Sequence, residues 1–261
     1  MNDDPILLRE HHEDVLVLTL NRPDRLNAAP PAMFDRLREA LGELDGARAV
    51  VVQGSGRAFC SGADIGDGSA GTDDPQAAVR NALNDHYNPA IQAIFDLDVP
   101  VVTAVQGAAA GIGCSLALAG DFCIAASSAY FLQAFVNIGL VPDGGASWML
   151  PRLVGRSRAI EMMMLGERIP AERALDWGMI HRMVSSDVLE QEALAFAQRL
   201  AAGPTVALGL MRRDISYAMD HSLTEAMAHE AESQGIARGT ADSAEGAQAF
   251  IEKRKPDFRG K

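Results

Sequence analysis

Residues 99–120, VPVVTAVQGAAAGIGCSLALAG, carry no charged side chain over 22 positions. A helix of that length would cross a bilayer, and Gly107 with Gly111 makes the GxxxG spacing of packed membrane helices. Against that reading stand Pro100, Gln106 and four glycines. Asp98 and Asp121 also flank the segment, with no Lys or Arg beside either end. A β-branched strand, a glycine loop and a buried helix account for all of these residues. The rest of the chain must then enclose the segment, and 261 residues are enough to build a core around it.

The neighbouring sequence supplies the walls. DVLVLTL (14–20), RAVVVQG (48–54), VPVVTAV (99–105) and DFCIAA (121–126) read as buried strands, and NRPD (21–24) as the turn closing the first. PAMFDRLREALGELDG places Met33, Phe34, Leu37, Leu41 and Leu44 at helical spacing. A further helix covers PQAAVRNALNDHYNPAIQAIFDLD, interrupted or kinked near Pro89. A short one follows the glycine loop through Leu118. Residues 66–75, GDGSAGTDDP, are small, acidic and turn-rich, the composition of a mobile surface loop. From about Gly155 the pattern is helical, ending in four amphipathic stretches from about 187 to 254. Only the strand-like MIHRMV (179–184) breaks it. The expected class is α/β, with a core over residues 1–195. A helical region over 196–261 follows, able to pack against another subunit.

Charge and cysteine usage narrow the function. A net charge of −12 argues against nucleic-acid binding, because phosphate backbones need a basic face. It also means that local groups must hold any anionic ligand. Cys60, Cys114 and Cys123 are an odd, widely spaced set, expected as reduced thiols of a cytoplasmic protein with no disulfide framework or CxxC metal site. The N-terminus MNDDPILLREHHED is acidic and lacks an apolar core, so it does not read as a signal peptide. Its adjacent His11 and His12 read as a solvated lead-in.

The glycine stretch GAAAGIGCS is not a Walker loop, since no Lys follows its last glycine, and Leu116 stands where a dinucleotide fingerprint needs its third glycine. GCSLA (113–117) approaches a nucleophile elbow with Ser115 as nucleophile. Asp143 and His181 follow in the chain order of a serine hydrolase, but Ala117 replaces the second glycine. Another account joins two loops. SGADI (61–65) and GIGCS (111–115) each follow a strand, and together they could aim two backbone amides at a developing oxyanion. In NIGLVPDGGAS (137–147), Asp143 is either a turn residue or a base at the lip of a dry pocket.

The order and spacing of LNRPDRLNA, FCSGADI, AVQGAAAGIGCSLALAGDF, IGLVPDGGAS, LPRLVG, WGMI and KRKPDF resemble the crotonase (enoyl-CoA hydratase/isomerase) superfamily along nearly the whole chain. That resemblance implies a spiral of ββα repeats with a helical C-terminal region that builds trimers, often paired into hexamers. It implies a coenzyme A thioester as ligand and no metal or redox cofactor. The thioester carbonyl would be held by the amides of Ala63 and Ile112. CoA contacts would come from Arg25, Ala28, Ala63, Asp64 and Ile65, with Phe250 and Lys253 reaching the nucleotide end from a neighbouring subunit. Arg22 and the EKRK group (252–255) are further local cations for the phosphates, although a solvated basic tail reads equally well there.

The departures from the family pattern bear on activity. Ser115 and Phe135 fall where family hydratases carry their two glutamates, and neither can do carboxylate chemistry. Asp143 falls where the double-bond isomerases of the superfamily carry an acidic base. YNPAIQAI (87–94), QAFVNIGLVPDGG and the ending PDFRGK resemble the ring-epoxide isomerase branch of phenylacetate breakdown. The reading is therefore an acyl-CoA isomerase with one base, its carboxyl pKa raised by burial near Phe135 and Val141. Tyr87, Phe131 and Trp148 are candidates to line an aromatic pocket, or are simply core. The alternatives are an enoyl-CoA hydratase, a non-catalytic acyl-CoA-binding paralogue and the Ser115 hydrolase.

Overall fold

A computed structural model describes residues 5–64 and 74–261. Ile65 and most of the acidic 66–75 loop lie outside the described residues. Among the described ones, strands β1 (Leu7–His12), β2 (Val15–Leu20), β3 (Ala49–Gly54), β4 (Val101–Val105), β6 (Phe122–Ala126) and β9 (Arg182–Val184) form one sheet in the order β1-β2-β3-β4-β6-β9. All pairs in it are parallel except β1–β2. A second sheet holds β5 (Ala108–Ala110), β7 (Tyr130–Leu132) and β8 (Ile169–Pro170) in the order β5-β7-β8.

The near-continuous apolar runs exist because both faces of the large sheet are covered. Side chains alternate along a strand. Val15, Val17, Val51, Val102, Ala104 and Ile124 face helix α8 (Leu189–Ala201), which returns Leu189, Ala193, Phe196 and Ala197 at helical spacing. Leu16, Leu18, Val50, Val52, Val101 and Val105 face the other way. They meet α1 (Pro31–Gly42), α3 (Asn88–Asp96) and α4 (Ile112–Ala119). At roughly 1.5–3 kcal/mol per fully buried Val or Leu, these two seams outweigh any strand propensity in holding the sheet.

The chain winds so that each turn adds a strand to each sheet: β4, β5, α4, then β6, β7 and α5 (Ala146–Val154). The charge-free stretch 99–120 is thus β4, a glycine crossover with β5, and α4, whose eight residues are all buried. No single described helix is long and apolar enough to cross a membrane. The helix expected near Pro89 is split as anticipated: α2 (Pro75–Ala82) passes through a π-turn over Leu83–Tyr87 into α3, in which Pro89 has no amide to donate.

His11 and His12 are solvated as expected, and they form the end of β1, an edge strand whose backbone pairs with β2. The expected boundary at 195/196 falls inside α8, which belongs to the core packing. Beyond α6 (Arg156–Leu165) and α7 (Ala171–Asp176), α8 leads to α9 (Thr205–Ala218), α10 (Leu223–Arg238) and α11 (Ala241–Glu252). Arg212 welds α9 to the core. Its guanidinium donates to Asp121 at 2.7–2.8 Å and to the carbonyls of Ile94 and Leu97. The C-terminal tail is held by buried Asp242, which accepts from the amides of Arg259 and Gly260.

Candidate active site

The site begins with two loops laid edge to edge. Residue 29 runs parallel to residue 63: the Ala29 amide donates to the Gly62 carbonyl (2.8 Å) and its carbonyl accepts from the Asp64 amide (3.0 Å). Because successive amides in an extended segment point to opposite sides, this register turns the Ala63 N–H away from Ala29. No carbonyl among the described residues accepts from it. Just upstream, Cys60 pairs with Ala109 beside β5, which brings the next loop alongside. A Cβ on Gly111 would lie 3.7 Å from Gly62 Cα. Gly111 adopts φ +54°, a conformation open to glycine, and the chain then turns into α4. The Ile112 N–H is a first-turn donor with no intrahelical partner, at the positive end of the helix dipole. Two amides without a partner among the described residues, those of Ala63 and Ile112, therefore lie on touching loops.

Asp143 rests on the same helix. Its carbonyl accepts from Ser115 Oγ at 2.9 Å. A Cβ on the next residue, Gly144 (φ +57°), would overlap Ile112 Cδ1 and lie 3.0 Å from Ser115 Cβ. The loop carrying Asp143 thus sits against the turn that presents the Ile112 amide. Asp143 Oδ1 is buried and accepts no hydrogen bond among the described residues. Loss of water around it pushes the carboxyl from 3.8 up to about 6. A turn Asp uses its carboxylate on a nearby amide or on solvent; Oδ1 does neither among the described residues, while the residue as a whole is half-buried.

The surroundings differ from expectation in places. Val141 is 80% exposed and cannot dry the carboxylate within one chain. Phe135 does sit at the site, its ring edge 3.6 Å from where Gly111 would carry a Cβ. Phe131 is fully buried core. Tyr87 is buried too, edge-on to Phe34, and donates to the Ala29 carbonyl at 2.9 Å, so it braces the Ala63 loop instead of lining a pocket. Trp148 is the candidate that borders open space, a cleft of about 470 Å³ shared with Phe95, Ile91, Gly144 and Gly145. The serine-hydrolase triad is not assembled. Ser115 Oγ donates to a backbone carbonyl, and His181 packs between the rings of Phe122 and Phe196, with Phe196 on α8.

Among the candidate CoA contacts, Arg22 and Arg25 converge on Asp64, at 2.8 and 3.5 Å. Asp64 has its carboxylate engaged by these cations beside the Ala63 loop. Arg22 also donates to the Ala28 carbonyl (2.5 Å). Phe250 is 86% exposed near the end of α11, with Lys253 just beyond. No hydrogen bond or ion pair among the described residues ties either to the loops of Ala63, Ile112 or Asp143.

Two supports were not anticipated from sequence. Asn27 is fully buried in a left-handed turn (φ +54°), accepts from the Arg22 amide and donates to the carbonyls of Ser55 and Ala58. Its only sequence signal is that Asn tolerates positive φ. Ser115, read as a gap in the hydratase pattern, is a tether. Burial pushes the thiols up, Cys60 to about 11 and Cys114 and Cys123 to about 12, so none is primed as a nucleophile. Among the described residues no three His, Cys, Asp or Glu converge as metal ligands would.

Comparison with known proteins gives the class to which this fold belongs. Residues 10–261 match the family described as enoyl-CoA hydratase/isomerase. A probable enoyl-CoA hydratase from Rhodobacter capsulatus is 45% identical over 97% of both chains. The 1,2-epoxyphenylacetyl-CoA isomerase of Escherichia coli is 40% identical over 98% of both. The crystal structure of a putative enoyl-CoA hydratase from Streptomyces coelicolor superposes with a TM-score of 0.93 at 34% identity, covering 100% of this chain and 96% of that one. The chain belongs to the enoyl-CoA hydratase/isomerase family of the crotonase superfamily.

Proposed function

We propose that the protein is an acyl-CoA isomerase that shifts a double bond, or opens a ring epoxide, in a CoA thioester. The observation that carries this reading is the half-buried Asp143, whose Oδ1 is buried and without a partner among the described residues, on a loop packed against the turn that presents the Ile112 amide, with Ser115 and Phe135 at the two positions where the family resemblance puts hydratase glutamates. In a 3-enoyl thioester, the Asp143 carboxylate takes a proton from C2. The electron pair moves into a dienolate whose oxygen accepts from the Ala63 and Ile112 amides. The neutral carboxyl then returns the same proton to C4, giving the conjugated 2-enoyl thioester with no net change in atoms. Each well-placed amide is worth roughly 3 kcal/mol of transition-state stabilisation. Hydration would need a second group to activate water, and Phe135 offers an apolar ring there instead.

The CoA phosphates fall to Arg22 and Arg25, and the nucleotide end to Phe250 and Lys253 of a neighbouring protomer in a trimer or a pair of trimers. The name of the E. coli relative supports the ring-epoxide substrate, and that of the R. capsulatus relative supports a hydratase as the second reading. A panel of 3-enoyl, 2-enoyl and ring-epoxide CoA thioesters separates them. Isomerisation or ring opening is expected, abolished by Asp143→Asn with acyl-CoA affinity largely kept. Efficient conversion of a 2-enoyl thioester to the 3-hydroxy product, or turnover by the Asn variant, would reject the proposal.

A further inference from the structure

We infer that Ser115 is a positioning residue: its hydroxyl holds the main chain of Asp143 and thereby sets where the base stands relative to the oxyanion amides. The inference rests on the reading of Asp143 as the base. Ser115 lies one helical turn after Ile112 on α4, fully buried, and donates to the Asp143 carbonyl at 2.9 Å. The two residues are 28 apart in sequence, so the bond is tertiary and not a helix cap. The same turn of α4 touches the base loop a second time, because Gly144 sits so close to Ile112 Cδ1 and Ser115 Cβ that it has no room for a side chain. One turn of helix therefore carries an oxyanion donor at its first residue and the anchor of the base at its fourth.

The loop's other bonds are local: the Asp143 carbonyl also accepts from the Ala146 amide at 3.2 Å, and the Leu140 amide donates to the Phe135 carbonyl. Ser115 supplies the side-chain bond that ties it to α4, while Asp143 Oδ1 has no partner among the described residues and Leu140 and Val141 on the approach are more than half exposed. The alternative role for a buried hydroxyl, back-bonding to its own helix, is unfilled: Ser115 Oγ donates to Asp143 and not to the Gly111 carbonyl. The side chain thus serves the loop, not the helix.

The test is Ser115→Ala, with Ser115→Cys as a near-isosteric weak donor, assayed on a 3-enoyl-CoA. The Ala variant should lose at least about tenfold in kcat with KM within about twofold, because misplacing a reacting group by even 1 Å can cost on the order of a hundredfold. The acid limb of its kcat–pH profile should move down toward an ordinary carboxylate as the freed loop lets water reach Asp143. The Cys variant should fall between Ala and wild type, which keeps the test open if the Ala variant folds poorly. Asp143→Asn/Ser115→Ala should be no slower than Asp143→Asn alone, since the two act through one group. An unmoved acid limb, or additive losses in the double variant, would overturn the positioning role while leaving Asp143 as base. Undiminished turnover by Asp143→Asn alone would remove the base reading first.

Discussion

The Asp143 carboxyl carries opposing demands. Burial lifts it to about 6, which brings a weak base into a useful range but leaves an uncompensated charge above that pH. The folded-state value exceeds the unfolded one, so the unfolded chain binds fewer protons between about 4 and 6, and stability falls as pH rises through that window. Two outcomes follow at this scale. In the proposed mechanism the base is the carboxylate, so kcat should fall as pH drops through about 6, checked by a pH–rate profile. Asp143→Asn should raise the Tm by about 2–4 °C at pH 7.5 and by much less at pH 4, where the native acid is already neutral. Differential scanning calorimetry at both values reads the contrast. The result is the familiar exchange of stability for function at an active site.

Among elements, α9 is joined to the core by Arg212 together with buried Leu210, Thr205 bonded to Arg48 and Arg213 paired with Asp98. Arg212 is 9% exposed and satisfies Asp121 and two carbonyls at the end of α3. Arg212→Ala would strand these acceptors, though Asp121 is 26% exposed and water offsets part of the loss. The expected cost is about 2–3 kcal/mol, read as a lower urea midpoint, with the pH limb of catalysis unmoved. Legibility at this scale followed burial. The strands β2, β3, β4 and β6 announced themselves because both their faces are covered. The four C-terminal helices did so through their apolar stripes. β1 was hidden because LLREHH turns mostly exposed side chains outward and is fixed only by backbone pairing. β5 was hidden because Ala108–Ala110 has no pattern of its own and exists where Cys60 and β7 flank it. At the site, Asp143, Ala63 and Ile112 could be placed by motif. The Ser115 tether and the Asn27 anchor could not, since each depends on a carbonyl 28 or more residues away.

For the whole molecule, Met211 and Ile215 on α9 and Met219 at its C-cap repeat every fourth residue at 54%, 62% and 45% exposure, beside an apolar groove of about 480 Å³. Light scattering should give a mass that is a multiple of three protomers. Ile215→Glu should shift it downward, and a monomeric wild type would contradict the proposed assembly. The contact between Ile112 and Gly144 has a longer reach. A side chain at 144 would have to displace the Ile112 methyl and also take up a φ of +57° that glycine adopts most freely. Trimming position 112 relieves the first constraint and not the second, so any reshaping of this contact runs through residue 112 while 144 stays glycine.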